Sequence, residues 1–391
     1  MGAGGAGVPL RELGLVLLVA CAVTYLTTGI IRHVLVRAGK VDPVRERDVH
    51  KHPTPQMGGV AMFTGFLVAV FVAQQLPALN RGFQPITPEM GAVVCAGFVI
   101  VMVGILDDFL ELDALTKLIG QTLGAVVMSL MGLTWTLIYL PFGGGTTVVL
   151  DQVLSTVLTA FVTVSLINAL NFVDGSDGLA AGVGMITGGA ILTFALTILH
   201  DQGGAVSAYP PAIIGAGLVG VCLGFLPHNF APARIFMGDT GSMLIGLLLA
   251  AASTSASGKI NLSLYGVADV FAVMAPVIVA AGCVCVPLAE LVITVVRRLL
   301  TGQSMAVPDK NHLHHQLMRH GHTPRQVALA IYLWTFAVAF GAVAFTVLPV
   351  YDALFGFFLA LVLAFIATIA PVLDKRSRDR ESASPGSLPV T

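Results

Sequence analysis

Charge is scarce in this sequence. Asp, Glu, Lys and Arg make up only 10% of its 391 residues, against 56% hydrophobic, whereas a soluble domain carries about 25% charged residues. A chain so poor in charge cannot cover itself with polar surface, which excludes a freely soluble domain. Cysteine is scarce too. Cys21, Cys95, Cys222, Cys283 and Cys285 all fall inside apolar runs, too scattered for a metal knuckle or a disulfide framework, and read as small apolar packing residues. No internal repeat is visible, and the acidic residues gather at the ends of apolar runs rather than at their centres. Both absences argue against a secondary transporter, whose ion sites lie near the bilayer midplane between repeated halves. The formal net charge of -1 says nothing about partners until the charges are placed in space.

Long apolar runs are what the sequence has in abundance. Eleven of them, at about 13–34, 58–76, 90–106, 117–133, 151–170, 179–199, 209–226, 239–256, 268–296, 327–347 and 353–373, are each able to cross a hydrocarbon core of about 30 Å. They predict an all-α, polytopic transmembrane bundle over residues 1–373. A disordered tail is expected at 374–391, where Lys, Arg, Ser, Asp and Pro take over. With an odd number of spans the two ends lie on opposite sides. Placing the N-terminus outside leaves only Arg11, Arg81 and Lys259 of the basic residues on the outer face, as the positive-inside rule requires. The C-terminus is then cytoplasmic, in a multi-pass protein of the cell membrane. Leu18-Val19-Ala20-Cys21 resembles a lipoprotein cleavage box. The apolar run continues past it to Ile31 and a basic flank follows, so a retained first span is expected. Pro276 and Pro287 predict a kinked or broken ninth span, and Pro141–Leu150 predicts a short outer hairpin.

Three acidic segments fall between spans. The third span ends in Asp107-Asp108, adjacent carboxylates that repel unless something positive lies beside them; Mg²⁺ commonly uses one or two carboxylates plus substrate phosphates. A charged helix end is the plain alternative. The fifth span ends in Asn168-Ala169-Leu170-Asn171-Phe172-Val173-Asp174-Gly175-Ser176-Asp177-Gly178. Asp174 and Asp177 would share a face if helical, and the glycines allow close approach of backbone to a ligand. The eighth span opens with Gly238-Asp239, where Asp is also a favoured N-cap. Capping residues should be distributed over both faces of the membrane, yet the predicted topology puts all three segments on the cytoplasmic one. Boundary carboxylates converging on one face form a site hypothesis by default.

Cations share that face. The loop 297–326 carries His312-Leu313-His314-His315. These imidazoles suit zinc, but beside an oxygen-rich cluster they better suit hydrogen bonding to phosphate. The loop from Val41 to Gly59, with Lys51, adds more positive charge. An acidic metal cluster, cationic donors and an adjacent bilayer fit phosphoryl transfer to a lipid, a chemistry of positioning and charge neutralisation.

These segments, Asp107-Asp108, Asn168 to Gly178, Phe236-Met237-Gly238-Asp239 and His312-Leu313-His314-His315, occur in the order found in the polyprenyl-phosphate N-acetylhexosamine-1-phosphate transferases. The chain resembles that family from about Val41 to Arg325. Its members initiate lipid-linked glycan synthesis and include the phospho-MurNAc-pentapeptide transferases. The resemblance implies that Asp107, Asp108 and Asp239 are the catalytic carboxylates and hold Mg²⁺, with Mn²⁺ able to substitute. It implies nucleotide contacts for Asn171, Asp174 and Asp177, the last reading the uracil, with Phe236 stacking near the base and Asn229 and Lys51 close by. His312, His314 and His315 resemble the pyrophosphate-binding loop. Ser176 stands where an aliphatic residue is usual. The implied donor is a UDP-sugar and the acceptor a polyprenyl phosphate, undecaprenyl or decaprenyl. No nucleic-acid partner is expected, and a homodimer is a candidate assembly. Pro308-Asp309-Lys310 and the leucine that interrupts the histidines resemble the N-acetylglucosamine branch; the pentapeptide branch has three consecutive histidines. Asp174-Gly175 also opens the motif of CDP-alcohol phosphotransferases, but the Ala-Arg continuation and the later aspartates are missing.

Overall fold

The computed structural model describes residues 8–39, 54–83, 88–140, 146–202, 204, 208–257, 313–319 and 321–383, with isolated positions between 278 and 300. Helices dominate: α1 (Leu10–Arg37), α2 (Gly58–Gln75), α3 (Glu89–Leu110), α4 (Ala114–Leu130), α5 (Gln152–Val173), α6 (Leu179–Asp201), α7 (Tyr209–Asn229), α8 (Gly238–Ser257), α9 (Leu313–Arg319), α10 (Pro324–Val347) and α11 (Val350–Ala383). Among the described residues, nine are long and apolar enough to cross a membrane; α4 is apolar but shorter. An all-α, polytopic membrane protein is therefore what the structure describes. The expected ninth span, 268–296, lies almost wholly outside the described residues. The expected hairpin is present as β1 (Leu137–Leu140) paired antiparallel with β2 (Thr146–Val149), β2 lying within the Pro141–Leu150 stretch and β1 before it. Helix α11 continues past Leu373 to Ala383, so the polar stretch expected to be structureless begins as helix. Its Asp, Lys, Arg and Glu residues include good helix formers.

One helix organises the rest. Every residue of α8 from Thr240 to Ala256 is buried, as expected of a helix with no polar face. At the periphery the pattern reverses: Phe355, Phe358 and Phe365 of α11 stand exposed, which in a bilayer means facing acyl chains. Small residues let the neighbours of α8 come close without lipid between them. Gly104 of α3 lies against the Thr240 backbone, Gly59 of α2 against Gly241, and Gly246 of α8 against Ile167 of α5, each with no room for a Cβ. Chain reversals then bring the polar ends together. Glu111 closes α3 in a left-handed conformation (φ 48°), and the Asp113 carboxylate caps α4 by accepting from the Leu115 and Thr116 amides at 2.9 Å. This tight α3–α4 reversal returns the first turn of α4 to the last turn of α3.

Candidate active site

The last turn of α3 and the first turn of α8 supply three carboxylates. Ligand oxygens of Asp107, Asp108 and Asp239 all lie within 4.8 Å of one another. Asp108 does two things. Its Oδ1 accepts the Asp239 amide at 2.9 Å, and its Oδ2 accepts the Thr240 hydroxyl at 2.6 Å. It therefore caps α8 from a neighbouring helix, satisfying amides that have no partner within their own helix and placing negative charge at the positive end of the helix dipole. The capping role that sequence alone offered to Asp239 thus belongs to Asp108, and Asp239 is left facing the cluster. Gly238 (φ 69°) has to be glycine here, because a Cβ would fall against the Asp108 carboxylate.

Lys117 answers the repulsion among these acids. Its Nζ lies 2.7 Å from Asp107 Oδ2 and also pairs with Asp239 Oδ2. The Leu112 amide donates to Asp107 Oδ1 at 3.1 Å. Asn171, in the last turn of α5, donates to Asp239 Oδ1 and to the Ser242 hydroxyl, both at 3.0 Å. One turn back on α5, Asn168 donates to Gln121 of α4 at 2.7 Å. Sequence reasoning counted Lys117 only as an inner-face charge. A signal was there: it is the sole Lys or Arg between Arg81 and Arg234, and an isolated charge at an apolar helix end is a functional hypothesis by default.

Asp174 and Asp177 reach the same region, but not as neighbours on a helix. Asp174 is the C-cap of α5, and residues 174–178 form turns before α6, because two glycines and the end of the apolar run break the helix there. Burial first, and then the charges of Asp239, Asp108 and Asp177, push the Asp174 carboxyl well above the ordinary carboxylate range. A cation in the triad would reverse part of that push. Asp177 accepts the Ala233 amide at 2.9 Å. Asn229 is buried, with its side chain spent on backbone: Oδ1 accepts the Gly178 amide at 3.1 Å and Nδ2 donates to the Ile235 carbonyl at 3.0 Å. Phe236 is half-buried and fixed by its backbone, its amide donating to Pro55 O and its carbonyl accepting from the Gly58 amide, both at 2.9 Å. Lys51 and His312 lie outside the described residues. His314 and His315 belong to α9, with side chains outside the described set. His322 in the same region is buried between the Leu317 and Thr368 carbonyls, 3.0 Å from each, a packing role.

The donor set tests well for a hard divalent ion. Three carboxylates converge, all ligands are oxygen, and a lysine ammonium already lies between two of them, so the cluster demands positive charge. Neither sulfur nor imidazole competes for it among the described residues.

Comparison with known proteins places this geometry. The family described as Glycosyl transferase family 4 matches residues 90–257, the stretch that contains Asp107, Asp108, Lys117, Asn171, Asp174, Asp177, Asn229 and Asp239. The decaprenyl-phosphate N-acetylglucosaminephosphotransferase of Mycobacterium tuberculosis is 53% identical over 371 residues, covering 95% of this chain and 92% of the relative. A probable undecaprenyl-phosphate N-acetylglucosaminyl 1-phosphate transferase of Bacillus subtilis is 32% identical over 91% of this chain and 92% of its own length. The phospho-N-acetylmuramoyl-pentapeptide-transferase of Desulforudis audaxviator is 34% identical, but over only 64% of this chain. The chain belongs to the polyprenyl-phosphate N-acetylhexosamine-1-phosphate transferases, in their N-acetylglucosamine-1-phosphate branch.

Proposed function

We propose that this chain transfers N-acetylglucosamine-1-phosphate from UDP-N-acetylglucosamine to a polyprenyl phosphate, with Mg²⁺ or Mn²⁺ held by Asp107, Asp108 and Asp239. The products are polyprenyl-pyrophosphate-N-acetylglucosamine and UMP, and the reaction starts a cell-envelope glycan on the cytoplasmic face. The observation that carries the reading is the oxygen triad bridged by Lys117 at the ends of spanning helices. It occurs in a chain 53% identical to a decaprenyl-phosphate enzyme over 95% of its length.

The chemistry follows from charge. A phosphate monoester has its second pKa near ~6, so the lipid phosphate is largely dianionic at neutral pH and needs little help from a base. Its oxygen forms a bond to the β-phosphorus of the donor, the bond from that phosphorus to the bridging oxygen breaks, and the electron pair leaves with UMP. A bound Mg²⁺ would supply neutralisation of the pyrophosphate charge. Lys117 adds a second positive charge beside Asp107 and Asp239. Asn171 orients Asp239, and Asp108, fixed by the α8 amides, keeps the two acidic helix ends in register. The turn with Asp174 and Asp177 takes the nucleotide end, and the segment with His312, His314 and His315 takes the pyrophosphate, as the family resemblance implies.

The test is UMP release by purified protein with decaprenyl or undecaprenyl phosphate, with Mg²⁺ or EDTA, and with each donor in turn. Turnover of UDP-N-acetylglucosamine only with the divalent ion is expected, and Asp107→Asn, Asp108→Asn and Asp239→Asn should each lower it by roughly 10²-fold or more. Turnover of UDP-MurNAc-pentapeptide instead would transfer the chain to the pentapeptide branch. Reporter fusions after Glu111, Asp177 and Arg234 should all read as cytoplasmic; one outside would break the shared-face argument.

A further inference from the structure

Helix α10 lies outside the segment that matches the family, 90–257, yet it holds the loops of the site. Arg325, in its first turn, donates through Nε to the Ala231 carbonyl at 2.9 Å. Tyr332, seven residues on and so on the same face, donates its hydroxyl to the Gly178 carbonyl. Gly178 is the last residue of the Asp174–Gly178 turn, and its left-handed conformation (φ 75°) makes it the hinge into α6. Its amide is already taken by Asn229. Both backbone polar groups of the hinge are thus gripped by side chains, one from α7 and one from α10. The Tyr332 ring has a matching seat: a Cβ on Gly182, one turn into α6, would overlap the ring at Cζ and the hydroxyl.

We infer that Tyr332 is a positioning residue for the nucleotide end of the site: by gripping the Gly178 carbonyl it sets the turn that presents Asp174 and Asp177. The inference rests on the assignment of that turn to the nucleotide in the proposed function. Tyr332 makes no hydrogen bond to the acidic triad or to Lys117, so its effect falls first on the substrate that the turn holds. Removing its hydroxyl leaves the Gly178 carbonyl with the Gly182 amide, at 3.0 Å, as its remaining donor and loosens the turn. Helix packing is kept, because phenylalanine fills the same seat over Gly182.

The experiment is steady-state kinetics of purified wild-type protein and Tyr332→Phe, varying UDP-N-acetylglucosamine at saturating polyprenyl phosphate and then the reverse. A donor KM raised about tenfold is expected, with kcat and acceptor KM within about twofold and with the UMP inhibition constant raised in parallel. Gly182→Ala pushes the same ring from its seat, so Gly182→Ala/Tyr332→Phe should show no further rise beyond the larger single effect. An unchanged donor KM in Tyr332→Phe overturns the inference, as does an equal rise in donor and acceptor KM or additive effects in the double variant. Wild-type protein that releases no UMP from UDP-N-acetylglucosamine defeats the proposed function first and this inference with it.

Discussion

Gly104 offers the sharpest test of whether the acidic triad depends on how closely two helices approach. Its position on α3 faces the first turn of α8, and a Cβ there would lie 2.7 Å from Thr240 N and 3.0 Å from Thr240 Oγ1, with Thr240 Cα nearer still. Ordinary contact begins at 3.4 Å. The obstacle is backbone rather than a side chain that can swing away, and α8 is buried from Thr240 to Ala256. The helix that yields is therefore α3, by about 1 Å, and Asp107 and Asp108 move with it. Displacement of a reacting group by that much costs about 10²-fold in rate. In an open helix, Gly→Ala gains about 1 kcal/mol of helix propensity; here it is offset by overpacking of about 1–3 kcal/mol. The balance is a loss of up to about 2 kcal/mol, so turnover should be compared at equal folded protein, where it falls. The assay is UMP release per mole of folded protein for Gly104→Ala, with Mg²⁺ titrated, beside Gly14→Ala, whose Cβ meets nothing within 4 Å. Gly14→Ala should keep wild-type turnover. Gly104→Ala within twofold of wild type, at equal folded protein and equal Mg²⁺ response, would refute the argument that backbone contact sets the triad.

Lys117→Met should lower turnover by about 10²-fold, the scale of losing a preorganised charge in a water-poor site; a loss below threefold would mean that its pairing with Asp107 and Asp239 is only structural. Because the Asp174 carboxyl is raised above its ordinary range by burial and by its acidic neighbours, the metal-free site favours a proton that a divalent ion must expel. The Mg²⁺ concentration for half-maximal rate should therefore fall as pH rises through that raised pKa. A Mg²⁺ requirement that does not change with pH would show no such coupling. Ser176 has a buried hydroxyl with no hydrogen-bond partner, a state that costs about 1–3 kcal/mol. Ser176→Ala should hold or raise the unfolding temperature in detergent, and a clear drop would mean that the hydroxyl has a partner in the folded protein.

Much of this protein was legible from composition and order. Spans were readable because a bilayer of fixed thickness demands apolar runs of fixed length, and residues such as Phe355 and Phe358 need only be apolar to face it. Asp107, Asp108, Asn171 and Asp239 were readable because charge and amide groups are costly at the ends of apolar runs. The shared face that Asp174 and Asp177 would have if helical is not realised, since spacing cannot reveal that the chain turns at 174–178, after the end of α5. Lys117 was visible as a charge but not as the partner of Asp107 and Asp239. That pairing requires the α3–α4 reversal at Glu111 to be folded first.

The sequence by itself determined the solvent, the places of most spans, and the residue types available for chemistry, because each depends on local composition against the bilayer. Only the tertiary structure decided which oxygens meet, that Asp108 rather than Asp239 caps α8, and that Tyr332 and Asn229 grip the two sides of Gly178. Those contacts join residues dozens to more than a hundred positions apart: glycines at 59, 104 and 246 let the helices around α8 touch, and Gly182 gives Tyr332 its seat beside Gly178.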